Sequence, residues 1–92
     1  MVRLDLHPRF LRRVRKLSAR QAAAVESALQ ELQTGFGEPH RHSGLGVRRL
    51  RRSLYECRAG QDLRVLFWAE AGLLTVFDAM AHDEIKNFLR NF

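Results

Sequence analysis

The spacing of apolar side chains changes once along this chain, and that change decides what it can fold into. Before Gly35 they recur at helical intervals. From Val47 they recur every second residue in short runs separated by tight turns. Phe10, Leu11, Val14 and Leu17 form one helical stripe, opened by Pro8 at a first-turn position where its missing N–H costs nothing. Ser18 followed by Gln21 is a capping-box pattern, so a second helix starts there, carries Val25, Ala28, Leu29 and Leu32, and stops at Thr34-Gly35. Val2–Leu6 reads as a short strand ahead of this helical hairpin. Gly35–Gly46 reads as a loop, and Val47–Arg52, Leu54–Ala59, Leu63–Ala69 and Leu73–Met80 as strands. Gly60-Gln61-Asp62 and Glu70-Ala71-Gly72 are short enough to make neighbouring strands antiparallel, as a meander. His82–Arg90 closes the chain as a short helix with Ile85, Phe88 and Leu89 inward.

The expected fold is therefore α+β: an N-terminal helical hairpin packed on a four- or five-stranded, mainly antiparallel sheet, with a short C-terminal helix. The helices are expected on one face of that sheet. Residues 1–92 suffice for one domain and one core. A composition of 46% hydrophobic and 28% charged residues is that of a folded globule and argues against disorder. No apolar run approaches the ~20 residues of a membrane span, and no signal-peptide pattern opens the chain. A single cysteine, Cys57, rules out an internal disulfide and fits a reducing cytoplasm.

The net charge of +6 is unevenly spread. Arg3, Arg9, Arg12, Arg13, Arg15, Lys16 and Arg20 face only Asp5 in the first twenty residues, and a second basic block runs from Arg41 to Arg64. Two such blocks suggest a polyanionic partner, nucleic acid or an acidic protein tail. The other reading is coding bias, since the basic residues are arginine except Lys16 and Lys86.

A three-residue turn at Gly60-Gln61-Asp62 sets a register in which Ala59 opposes Leu63, Arg58 opposes Arg64, Cys57 opposes Val65 and Tyr55 opposes Phe67. One face then carries Tyr55, Cys57, Ala59, Leu63, Val65 and Phe67 as core. The other carries Glu56, Arg58 and Arg64, with Leu66 and Trp68 further along in need of cover from the closing helix or a partner. Directly opposed arginines are unfavourable unless an anion lies between them, and a phosphate suits their forked donors. Alternatively, Glu56 neutralises one arginine and the other points into water.

The run Leu50-Arg51, Tyr55-Glu56-Cys57-Arg58 and Asp62-Leu63-Arg64-Val65-Leu66-Phe67, with the hairpin before it and His82 after it, resembles the RelE/ParE superfamily of bacterial type II toxin-antitoxin toxins. The resemblance is nearest to the RelE/YoeB mRNA interferases. It implies a ribosome-dependent endoribonuclease that cuts mRNA through its own 2′-OH and inhibits translation, with mRNA, the ribosome and a cognate antitoxin as partners. No cofactor or metal is implied. Arg64 matches the superfamily's strand arginine, Arg58 a basic position on the preceding strand, and His82 the late histidine of the YoeB group. The implied roles are phosphate stabilisation for Arg64 and Arg58, general acid for His82 and, as the weaker candidate, base for Glu56. His82 also opens a helix followed by Asp83 and Glu84, a placement that electrostatics of the helix start explains equally well.

The chain departs from RelE-type enzymes in having no sheet lysines, and its one tyrosine, Tyr55, is expected in the core; Phe88 or Phe92 stands where a terminal tyrosine would. Those departures keep two alternatives open, a ParE-like inhibitor of DNA gyrase and a catalytically silent binding module. Arg48, Arg49, Arg51 and Arg52 form a cationic edge expected to meet RNA backbone, with His42 on the preceding loop assisting. The same charges would also discourage edge-to-edge sheet pairing. His40, His42, His82 and Cys57 fit no zinc spacing, so no metal site is expected.

Overall fold

The computed structural model describes residues 2–37 and 44–91. Strand β1 (Arg3–Leu6) leads into helix α1 (Pro8–Val14), whose start is held by the His7 Nδ1 accepting from the Arg9 N–H. Helix α2 (Ala19–Gly35) begins with the anticipated capping box. The Ser18 hydroxyl accepts from the Gln21 N–H and the Gln21 amide oxygen from the Ser18 N–H, both at 3.1 Å. Strands β2 (Arg48–Arg51), β3 (Leu54–Ala59), β4 (Leu63–Glu70) and β5 (Leu73–Ala81) follow, then helix α3 (His82–Arg90).

The five strands form one sheet in the order β1-β5-β4-β3-β2, antiparallel except for β1, which runs parallel to β5. The β3–β4 register is the one the turn length requires: Ala59 opposes Leu63, Arg58 opposes Arg64 and Tyr55 opposes Phe67. Gly60 enters this turn at φ +67, where a residue without Cβ is favoured.

The helices do not share one face, as expected from the pattern, but cover both. On one side α2 and Phe10 of α1 pack on Cys57, Ala59, Val65, Phe67 and Val76. Tyr55 is half-buried here, stacked on Phe67 with ring centroids 5.7 Å apart, and Phe36 meets both rings edge-on. On the other side α3 brings Ile85, Phe88 and Leu89 onto Leu54, Leu66, Phe77 and Met80. The closing helix thus supplies the cover that Leu66 and Trp68 need, and Trp68 stacks on Phe77. The apolar side of α3 is too large to leave wet, and the hairpin already occupies the first face, so the second is where it goes. Leu11, expected in the inward stripe of α1, stands 46% exposed, because that short helix lies along the edge of β5 and presents only Phe10 fully to the core.

Candidate functional site

On the α3 side of the sheet, beyond the apolar patch, lies the polar face anticipated from the register. Arg64 on β4 stands between Arg58 on β3 and Met80 on β5. Glu56, one pleat away on β3, is only 3% exposed, and its Oε2 lies 3.8 Å from the Arg64 Nε. That separation is an ion pair rather than a hydrogen bond. The Arg64 side chain retains 25% exposure, so it is held by Glu56 without being hidden. Glu56 is also directly opposite Arg48 of β2, while on β4 it faces Leu66 and reaches Arg64 along the diagonal.

The other candidates are placed less closely. Arg58 faces Arg64 across the ladder, yet its side chain lies against the backbone of Gly46: a Cβ at that glycine would come within 2.8 Å of the Arg58 Nε. Gly46 has φ +67, so both its conformation and the close approach require glycine. The directly opposed arginines therefore part, one drawn to a carboxylate and the other laid over the strand edge. His82 is the exposed first residue of α3, two residues beyond Met80, with Ala81 opposite Leu63. It lies on the helix stripe that also carries Ile85 and Leu89. Asp83 and Glu84 occupy the first turn after it, and Glu84 accepts from the Ala81 N–H at 3.0 Å.

The arginines of the cationic edge divide between faces. Arg48 shares the face of Glu56, Arg49 the opposite face with Tyr55, and the bulge between Arg49 and Arg51 turns Arg51 back toward Leu50, whose carbonyl it binds. Arg52 is exposed at the β2–β3 turn. His42 and His40 lie outside the described residues, as does Phe92. Cys57 is buried on the hairpin side; burial, reinforced by the charge of Glu56, pushes its thiol up to about 12.

A second polar cluster was not foreseen from sequence. Asp78 on β5 is 1% exposed and receives the Arg9 Nε at 2.8 Å and the Arg13 Nε at 3.0 Å. The Arg13 Nη2 also lies 3.5 Å from Glu84 of α3, and the bond with Asp78 raises its pKa above the usual arginine value. The clasp fastens α1, β5 and α3 together, and its signal in the sequence is a lone acid within an otherwise apolar strand.

No protein-family model matches the sequence, and no curated protein matches it. Solved structures do match. The RelE of an archaeal RelE–RelB complex from Pyrococcus horikoshii OT3 superposes with a TM-score of 0.70 at 17% identity, over 87% of this chain and 93% of that one. The RelB–RelE antitoxin–toxin complex of Methanococcus jannaschii gives 0.71 at 9% identity, over 91% and 96%. The isolated E. coli RelE toxin gives 0.67 at 14%, over the whole of both chains. Identities this low speak to architecture, and the architecture is consistent from end to end: the chain has the RelE-like fold.

Proposed function

We propose that this chain is the toxin of a type II toxin-antitoxin pair and an endoribonuclease that cuts ribosome-bound mRNA. The observation that carries the reading is a RelE-like fold in which Arg64 stands a quarter exposed on the sheet face, tethered by Glu56; His82 comes two residues after Met80, the partner of Arg64 on β5. In the scheme, Arg64 binds the scissile phosphate, and Arg58 joins it by swinging off Gly46. The carboxylate of Glu56 takes the proton of the 2′-OH, the 2′-oxygen bonds to phosphorus, and the bond to the 5′-oxygen breaks. His82 protonates that leaving oxygen, giving a 2′,3′-cyclic phosphate and a 5′-hydroxyl. The guanidinium groups stabilise the charge added to the phosphorane, so side chains alone supply the chemistry. The partners are mRNA, the ribosome and a cognate antitoxin whose acidic groups would meet the arginines, and the site of action is the cytoplasm.

The competing reading, a ParE-like inhibitor of DNA gyrase or a silent binding module, draws on the Arg58–Gly46 contact, which leaves the phosphate-binding pair unassembled in the free chain. Induction from a tight promoter followed by primer extension on cellular mRNA separates these readings. New cuts within translated frames that disappear in Arg64→Ala are expected. Filamentation with intact mRNA would point to gyrase, and growth without any effect to the silent module.

A further inference from the structure

The Asp78 clasp lies at the base of a concave surface that the proposed cleavage site does not use. A depression of about 430 Å³ over α1 is lined by Arg9, Arg12, Arg13, Arg15 and Lys16 with Asp78 beneath. A second, of about 480 Å³, shares Arg9 and Arg13 and continues between α1 and α3 past Asn87, Phe88 and Asn91. The two form one cleft with a basic wall and a wall carrying an aromatic ring and two amides.

Three features make this more than a solvated charge run. Arg9, Arg12, Arg13 and Lys16 follow the i, i+3, i+4, i+7 spacing that places them on one side of the helix and its continuation. Arg9 and Arg13 are each fixed through Nε by a buried carboxylate, and Arg9 also lies 5.8 Å from the centroids of Phe77 and Phe88. Two guanidinium groups are therefore oriented before any ligand arrives, which lowers the entropy lost on binding. The acids of the cleft are Asp78, already matched by two arginines, and Glu84, 3.5 Å from Arg13. They leave Arg12, Arg15 and Lys16 as surplus positive charge.

We infer that this α1–α3 cleft is a second binding surface, for the phosphodiester backbone of single-stranded RNA, with Asp78 positioning its arginines. The inference rests on the RNA-directed reading above for the identity of the polyanion. A cationic groove beside an aromatic ring is the arrangement that single-stranded nucleic acid uses, with phosphates on the charges and a base against the ring. The Asn87 amide can meet a base edge, while the Asn91 amide nitrogen donates to the Asn87 carbonyl at 3.2 Å and leaves its oxygen to accept. An acidic protein segment would satisfy the charges but would have less use for the ring and amides, so RNA is the better match.

The test uses the full chain carrying Arg64→Ala, so that RNA survives, and a fluorescent single-stranded RNA oligonucleotide followed by anisotropy over a salt series. Adding Arg12→Gln, Arg15→Gln and Lys16→Gln, exposed positions outside the core, should weaken binding about tenfold or more. It should also flatten the slope of log K against log salt by roughly 2, three contacts at about 0.7 each. Unchanged affinity and slope would overturn the inference, as would binding of poly-glutamate without binding of RNA, which would assign the cleft to an acidic protein. The cleavage reading fails separately: primer extension would show no cuts while the cleft still bound RNA through these three residues.

Discussion

Removing both arginines that hold Asp78 should cost far more than removing either. Asp78 is 1% exposed and takes the Nε of Arg9 at 2.8 Å and of Arg13 at 3.0 Å, plus the Ala79 N–H at 2.8 Å. In Arg9→Met with Arg13→Met the apolar stems remain roughly filled, but a carboxylate is left in the interior with one backbone donor. Stranding a buried charge costs about 3–5 kcal/mol. Because the arginines are 46% and 32% exposed, solvent already screens part of the pairing, and the lower end, about 3 kcal/mol, is the expected value. At roughly 0.05–0.15 kcal/mol per residue, a domain of this length has about 5–14 kcal/mol in all. The double variant should therefore melt about 12–24 °C lower, at about 4–8 °C per kcal/mol. Each single variant keeps one partner and should lose about 1 kcal/mol. Adding Asp78→Asn to the double variant removes the stranded charge while keeping an acceptor for Ala79, so the triple variant should be more stable than the double. Urea unfolding followed by circular dichroism measures all four. A double variant that loses under about 1 kcal/mol, or a triple variant no more stable than the double, would refute the view that Asp78 is a buried charge needing its arginines.

Cys57 predicts a loss of stability in alkali. Its thiol is pushed to about 12 in the folded chain against an ordinary 9.0. Between those values the unfolded chain sheds a proton that the folded chain keeps, so stability falls as pH rises. The slope approaches about 1.4 kcal/mol per pH unit. Cys57→Ala should flatten that slope in urea titrations from pH 8 to 11, and an identical slope would remove the cysteine from the account. Glu56→Gln should lower single-turnover RNA cleavage by about 100-fold or more while leaving RNA affinity nearly unchanged, if Glu56 accepts the 2′-OH proton. A parallel fall in affinity would show instead that its task is to orient Arg64. Ala71 and Gly72 turn the β4–β5 hairpin at φ 49 and φ 79, both left-handed. Ala71→Asn should thus gain about 0.5–1 kcal/mol, read as a higher urea midpoint at constant m, because asparagine adopts that region at lower cost than alanine.

The backbone plan was legible because short-range chemistry wrote it. Ser18 with Gln21 marked a helix start that the structure closes with two reciprocal hydrogen bonds. A three-residue turn at Gly60 left one register for β3 and β4, which in turn put Arg58 opposite Arg64. Side-chain destinations were less legible. The pattern showed two like charges facing one another but not how each would be relieved, since Gly46 is brought to Arg58, and Glu56 to burial beside Arg64, only by the folded sheet. The closing helix could be recognised from its apolar spacing, yet which face it covers depends on where the hairpin has already packed.

Asp78 shows most plainly where period-two reading fails. Strict alternation along β5 would put Asp78 with Leu74 and Val76, beneath the hairpin, where an acid has no partner. The pairing instead slips between Leu66 and Phe67: Phe67 opposes Val76, Leu66 opposes Asp78, and Phe77 is the extra residue. After that bulge Ala79 takes the hairpin face opposite Val65, and Asp78 leaves it. β1 pairs β5 only as far as Val76, and α1 begins two residues after Leu6, so its arginines arrive where the bulge delivers the acid. The same slip that removes a carboxylate from the core thus fixes two guanidinium groups at the floor of the basic cleft. Deleting Phe77 would leave Phe67 opposite Val76, Leu66 opposite Asp78 and Val65 opposite Ala79 in unbroken alternation. Asp78 should then stay off the hairpin face and the chain should still fold, with a lower urea midpoint from the loss of a ring that packs on Trp68 and Phe88.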